Sequence, residues 1–353
     1  MKKFFEKNGI LLILALIFLF IGTKAWTYFS RNEIAIGFYH WKKELNLSVE
    51  EEDVLKKNKK TPLYVHFFDT DWDEDKNFIV PIAITKPEKP LPEKTLICPV
   101  VFITNRVFEN TQDDKIMVVA EKVWERVEFL NQQYESEMGT QLHSIQIDCD
   151  WTLSTKDRYF AFLKALGDIS PVALSATIRL HQIKFQEKTG VPPVERGMLM
   201  FYNMGDLDNP NTQNSILDLE TAKQYVEYCK KYTLPLDVAL PLFQWAVVLR
   251  DGRVVQLLNA ANTQDFKDED YFEKIGDLQY KVKESTYAHG YYCYEGDIIR
   301  VENVSQEQLE AAAKMLSNYL PNERRTLCFY HLDYTILQAN PYEKLDEIRK
   351  NLE

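Results

Sequence analysis

The sequence predicts an α/β chain folded as a single (β/α)8 barrel of the TIM type, with a hairpin and a long loop inserted after the seventh strand. Three observations predict it. Eight short apolar segments alternate with amphipathic or capped helical ones across residues 31–353. Polar side chains cluster at the carboxyl ends of those segments, where barrels of this kind keep their sites. No Gly-rich phosphate loop follows a strand, which counts against the doubly wound open sheet. No internal repeat or low-complexity linker divides residues 31–353, so they form one domain.

In chain order, Glu33–Trp41 reads as the first strand and Leu45–Lys60 as a charged helix. Pro62 introduces the second strand, Leu63–Phe68, which ends in Asp69-Thr70-Asp71-Trp72-Asp73, and a Pro- and Lys-rich loop covers 86–94. Thr95–Thr104 is the third strand. The helix over 113–134 carries Ile116, Val119, Ala120, Val123, Val127 and Leu130 at helical spacing. In the fourth strand, Ser144, Gln146, Asp148 and Asp150 share one face and Ile145 and Ile147 the other. Ser154 caps the helix that follows it, to Leu166.

Val172–His181 is the fifth strand, with Ala173, Ser175, Thr177, Arg179 and His181 on one face and apolar residues on the other. Gly197–Tyr202 is the sixth, followed by a Gly-, Asp- and Asn-rich loop and a helix capped by Asp218. Leu236–Pro241 is the seventh. Trp245–Leu249 and Val254–Leu258, joined by Arg250-Asp251-Gly252-Arg253, form the inserted hairpin, and 259–300 the long aromatic loop. A helix from Ser305, the eighth strand Thr326–His331 and a helix from Pro341 close the chain.

Residues 1–30 are of another kind. A basic lead, Met1–Lys7, precedes an unbroken apolar run from Ile10 to Ile21, which matches a secretory signal better than a full span of ~20 residues. They are read as a signal peptide or an uncleaved signal anchor, with Trp26, Tyr28 and Phe29 suited to the interface. Either exports the chain across the cytoplasmic membrane to the periplasm or cell surface, and the anchor makes the membrane a partner. The net charge of −11, with no basic cluster beyond short runs such as Lys57–Lys60, excludes nucleic acid as a partner. Five cysteines lack metal-type spacing; four read as small buried residues, and one bridge involving Cys293 is open.

The candidate site gathers residues at strand ends: His40, Trp41, His66, Asp69, Asp71, Asp148, Asp150, Arg179, His181, Tyr202, Asn203, Gln244, Trp245, His331 and Asp333. Two acids on one face of a strand otherwise built for burial require a polar cavity. Asp148 and Asp150 lie ~6.6 Å apart along the strand, a distance within the range of paired carboxylates in sugar hydrolysis. Arg179 is equally suited to hold either acid ionised, as an ion pair tying the fourth and fifth strands together.

Asp148-Cys149-Asp150-Trp151-Thr152 resembles the fourth-strand signature of the chitinase-like glycoside hydrolases of family 18, Asp-x-Asp-Trp-Glu. Gly37-Phe38-Tyr39-His40-Trp41 resembles that family's first strand, and Met200-Phe201-Tyr202-Asn203 its sixth-strand Met-x-Tyr-Asp. The resemblance implies a bacterial branch of these barrels, and an oligosaccharide as ligand or substrate. It also marks departures. The proton-donating glutamate of the family is Thr152 here, the first aspartate of its motif is Ile145, and the sixth-strand aspartate is Asn203. Family-18 hydrolysis uses the substrate's own acetamide as nucleophile, and a threonine hydroxyl cannot protonate the leaving oxygen.

The functional expectation is therefore an exported glycoside-hydrolase-like barrel that acts on or binds an oligosaccharide, with Asp148 and Asp150 in the catalytic positions and no cofactor. The alternative is a non-catalytic carbohydrate-binding or scaffold protein. A third reading is a metal-dependent hydrolase using His40, His66, His181, His331 and an aspartate. Trp41, Trp72, Trp151 and Trp245 serve sugar stacking under the first two.

Overall fold

The computed structural model describes residues 34–57, 62–93, 95–138, 142–209 and 212–353. The expected signal segment lies outside the described residues. Eight parallel strands close into a barrel: β1 (Ile34–His40), β2 (Pro62–Asp73), β3 (Leu96–Ile103), β4 (Ser144–Asp148), β5 (Ala173–Arg179), β6 (Arg196–Met200), β7 (Leu236–Pro241) and β8 (Arg325–Tyr330). Neighbours in sequence are neighbours in space, and pairing of β1 with both β2 and β8 closes the ring. Where β1 passes its neighbours only glycine fits. A Cβ on Gly37 would lie 2.9 Å from Thr326 Cγ2 and 3.1 Å from the Pro62 carbonyl oxygen.

Strand alternation sorts the side chains into two cores. Tyr39, Tyr64, Cys98, Val100, Met198, Met200, Tyr202, Ala239 and Cys328 fill the barrel interior. The outward set, including Ile34, Ile36, Phe38, Ile145 and Ile147, packs beneath the helix layer. That layer includes α1 (Val49–Lys57), α2 (Ile116–Met138), α3 (Lys156–Ile169), α4 (Leu180–Lys184), α5 (Leu219–Val226), α6 (Gln306–Ser317) and α7 (Tyr342–Leu352). Asp218 caps α5 as expected, accepting from the amides of Glu220 and Thr221, and Ser305 forms a capping box with Gln308 on α6.

Several elements depart from the sequence reading. The N-cap of α3 is Thr155, not Ser154; its hydroxyl makes no capping bond and instead accepts from the Thr152 amide at 2.9 Å. The second strand runs on to Asp73 and turns back as an antiparallel strand, Phe78–Ile82. The fifth strand ends at Arg179, and His181 stands on α4 instead. The segment 259–300 is not a loop. Gln279–Val282, Phe272–Lys274 and Ile298–Glu302 join the hairpin Trp245–Arg250/Arg253–Asn259 in a five-stranded antiparallel sheet. That sheet has its own core of Ala246, Val248, Phe266, Tyr280, Ile299 and Val301. Its strands are three to seven residues long, too short to stand out from the turns between them. All five cysteines are buried free thiols, Cys293 included.

Candidate functional site

The parallel register of β4 and β5 pairs Ile147 with Ala176. It brings Asp148 level with Thr177 and Asp150 level with Arg179, and both pairs bond. The Thr177 hydroxyl donates to Asp148 Oδ1 at 2.6 Å. Arg179 Nε and Nη2 donate to the two Asp150 oxygens at 2.7 and 3.2 Å, a bidentate fork.

The two acids are therefore unlike. Asp148 is the last strand residue and points into the barrel among tyrosines. Burial pushes its carboxyl above the usual carboxylate range; the Arg179 charge and the Thr177 hydrogen bond pull against this, and the Asp150 and Asp69 charges add to it. Asp150 lies beyond the strand, half in solvent, and stays paired with Arg179. Of the two acids open to the arginine, it pairs with Asp150, tying the fourth and fifth strands together.

A cavity of about 480 Å³ opens beside this pair, lined among others by Asp150, Arg179, His181, Tyr202 and Asn203. Five predicted residues thus meet at one mouth. The cavity continues over Met204, Thr221 and Tyr225, from the loop after β6 and from α5, which sequence reasoning did not single out. Burial lowers the His181 pKa, Asp150 opposing and the Arg179 charge reinforcing the shift.

Beside the cavity runs an aromatic belt. Tyr330 stacks on Tyr202 with centroids 5.4 Å apart, and lies 5.6 Å from Tyr39, 6.0 Å from Trp41 and 5.8 Å from Phe243. Phe243 in turn meets Trp245 at 5.2 Å. Tyr330 and Phe243 were missed, although the period-two rule places Tyr330 on the inward face with Cys328. Below the belt, Tyr39 donates its hydroxyl to Gln146 Oε1, and Gln146 reaches Ser175 Oγ at 3.3 Å.

Other predicted residues are engaged elsewhere. His40 is outward-facing, since Tyr39 points in; it is fully buried, with neither ring nitrogen hydrogen-bonded. Burial, with the charges of Lys42, His331 and His66 adding, lowers its pKa to about 3, so it is neutral and outside the cleft. His66 spends both ring nitrogens, on Thr85 Oγ1 at 3.0 Å and Asp69 Oδ1 at 2.6 Å. Asp71 accepts from Thr104 Oγ1 at 2.6 Å and pairs with Arg106 at 3.1 Å. Asp333 pairs with Lys42 at 3.0 Å beside His331 and caps the helix Tyr334–Ala339. Each of these three acids is hydrogen-bonded or paired elsewhere, and of them only the Asp69 charge acts on Asp148. Trp151 is buried, stacked on Tyr159 and bonded to the Thr189 carbonyl, so it cannot meet a sugar. Trp72 stands on the β2 hairpin arm opposite Ile79. Gln244 donates to the Ala260 carbonyl at 3.3 Å at the foot of the inserted sheet. Asn203 adopts a positive φ of 54°, a conformation asparagine tolerates, and donates its amide to the Ile216 carbonyl.

Among the described residues no group of three or more His, Cys, Asp or Glu is placed to hold a metal ion. No helix among them is long and apolar enough to cross a membrane.

No family model matches the chain, and no curated protein matches it in sequence. Solved structures do match its shape. A chitinase from Chromobacterium violaceum is 9% identical over 90% of this chain and 99% of its own, with a TM-score of 0.52. The spore cortex-lytic enzyme SleL of Bacillus megaterium is 13% identical over 92% of this chain and 75% of its own, with a TM-score of 0.53. A chitinase-like agglutinin from Robinia pseudoacacia is 10% identical over 90% and 99%, with a TM-score of 0.50. By architecture this chain has the barrel of the chitinases and chitinase-like proteins, reached at identities low enough for a widely divergent sequence.

Proposed function

We propose that this chain binds an oligosaccharide at the barrel mouth, and that it does not cleave it by the substrate-assisted route of the chitinases its motifs resemble. One observation carries this reading. Where that route needs a carboxylic acid stands Thr152, whose hydroxyl is tied to Ser154 Oγ at 2.8 Å and Thr155 Oγ1 at 3.2 Å. The aspartate two residues earlier, Asp150, is held by Arg179. The partly exposed members of the belt, Trp41, Tyr330, Phe243 and Trp245, supply apolar ring faces of the kind on which sugar rings stack, with buried Tyr202 behind them. Of the proteins of like shape, one is named an agglutinin and another a chitinase, which supports a glycan as ligand under either reading.

A second reading has its own observation. Asp148 is a buried carboxyl held above the ordinary range, the property of a general acid. A rearranged hydrolase would use it. The test is a glycan array with a hydrolysis screen on residues 31–353, run beside Asp148→Asn and Asp150→Asn. Binding without turnover in all three proteins supports the binding reading. Turnover lost specifically in Asp148→Asn overturns it in favour of the hydrolase.

We also propose export, on the strength of the Met1–Lys7 lead and the Ile10–Ile21 run. Cell fractionation of the full chain with an epitope at Glu353 tests it; recovery in the cytosol would exclude it.

A further inference from the structure

Glu302 ends the strand Ile298–Glu302 of the inserted sheet, fully buried, directly opposite Trp245 in the antiparallel register. Its two oxygens have separate duties. Oε1 accepts from Arg300 Nε at 2.6 Å, and Arg300 continues to the Leu207 and Asn209 carbonyls. Oε2 accepts from the Ser215 amide at 2.8 Å, the Ser215 hydroxyl and Trp245 Nε1 at 2.9 Å.

A carboxylate serving only as counter-ion to Arg300 would need one oxygen. The other takes its donors from the two elements that frame the mouth. Ser215 belongs to the loop after β6, where its carbonyl receives the amides of Met204 and Gly205 next to Tyr202 and Asn203. Trp245 opens the insert, and its ring leans on Phe243, which meets Tyr202 and Tyr330. The bond at Nε1 restrains the indole, and Trp245 is only partly buried.

We propose that Glu302 is a positioning residue for the ligand site: through Oε2 it holds Trp245 and the loop after β6 in one arrangement, so that the indole serves as a preformed sugar platform. The inference rests on the binding reading above for its ligand, but its geometry can be tested without one. Such a buried, charge-assisted contact governs orientation, and a site built on rigid elements loses little entropy on binding.

The test uses the full chain labelled with 5-fluorotryptophan, with Trp245→Phe identifying its resonance. Glu302→Gln is expected to shift or broaden the Trp245 signal and to weaken binding of an N-acetylglucosamine hexasaccharide about tenfold by calorimetry. Trp245→Phe keeps a ring but no donor, and Glu302→Gln added to it should weaken binding by less than it does alone, since only the Ser215 contacts are left to disturb. Arg300→Met breaks the ion pair alone; it should lower the unfolding midpoint and leave the Trp245 signal in place. An unmoved Trp245 resonance in Glu302→Gln, or losses that simply add in the double variant, would overturn the inference. Absence of hexasaccharide binding by the native protein counts against the binding reading instead, and the fluorine signal then decides the positioning role by itself.

Discussion

Arg179 grips Asp150 through two parallel hydrogen bonds, Nε to Oδ1 at 2.7 Å and Nη2 to Oδ2 at 3.2 Å, two residues beyond the point where Thr177 bonds Asp148. An aspartate held this way cannot turn toward a neighbouring acid or a substrate amide without giving up both bonds. The pair is half open to solvent, so its worth to stability is small, about 1 kcal/mol or less. Its effect is on orientation.

The first prediction concerns that orientation. Thr152→Glu alone should produce no hydrolysis of a chromogenic N-acetylglucosamine oligosaccharide, because Asp150 stays paired. Thr152→Glu with Arg179→Met restores an acid and frees Asp150, and should give turnover above the native background. Turnover by Thr152→Glu alone would show that the Arg179 grip is no obstacle.

A second prediction concerns acid stability. Buried neutral His40 has a folded pKa of about 3 against 6.5 in the unfolded chain. Between those values the unfolded state binds more protons, so stability should fall as pH drops from about 6.5 toward 3, by on the order of a few kcal/mol. His40→Leu, which leaves no orphaned ring nitrogens, should flatten that slope in urea unfolding measured from pH 7 to pH 4. Lys42, His331 and His66 act on the same ring and remain in the variant.

Asp148 should behave with the opposite sign. Its folded pKa is raised, chiefly by burial, so the folded state binds the extra proton, and its contribution is lost as pH rises through the folded value. Asp148→Asn keeps an oxygen for the Thr177 hydroxyl and removes the buried charge. It should be more stable than the native protein at pH 7, with the advantage vanishing as pH falls below the ordinary carboxylate range. An equal advantage at both pH values would refute the linkage.

A fourth prediction tests the barrel interior. Tyr39→Phe removes the donor to Gln146 Oε1, and both residues are fully buried. Leaving that acceptor unpaired should cost about 1–3 kcal/mol in urea unfolding. Gln146→Leu in the same background, which removes the orphaned acceptor, should recover part of it.

Much of the barrel was legible in the sequence. Ala239 and Val238, or Gln146 and Ile147, show in two adjacent letters which side faces the interior, because a strand alternates and each face meets a different neighbour. The mouth was legible in part. Asp150, Arg179, Tyr202 and Asn203 lie at or just beyond their strand ends, and His181 joins them in one cavity from α4. His40 and Trp151 failed for a simple reason. Each follows an inward residue by one position, and near a strand end one position separates the cleft from the helix layer.

The sequence by itself determined the alternation of eight strands with helices, the polar character of the strand ends and the threonine in the acid's place, because these are local patterns of burial and chemistry. Only the tertiary structure decided the rest. It assigned Arg179 to Asp150 rather than Asp148, spent His66, Asp71 and Asp333 on structural partners, turned 259–300 into a sheet, and converged Tyr330 and Phe243 on Tyr202. Each is a choice among partners distant in the chain, set by register and packing, and no short stretch of residues encodes it.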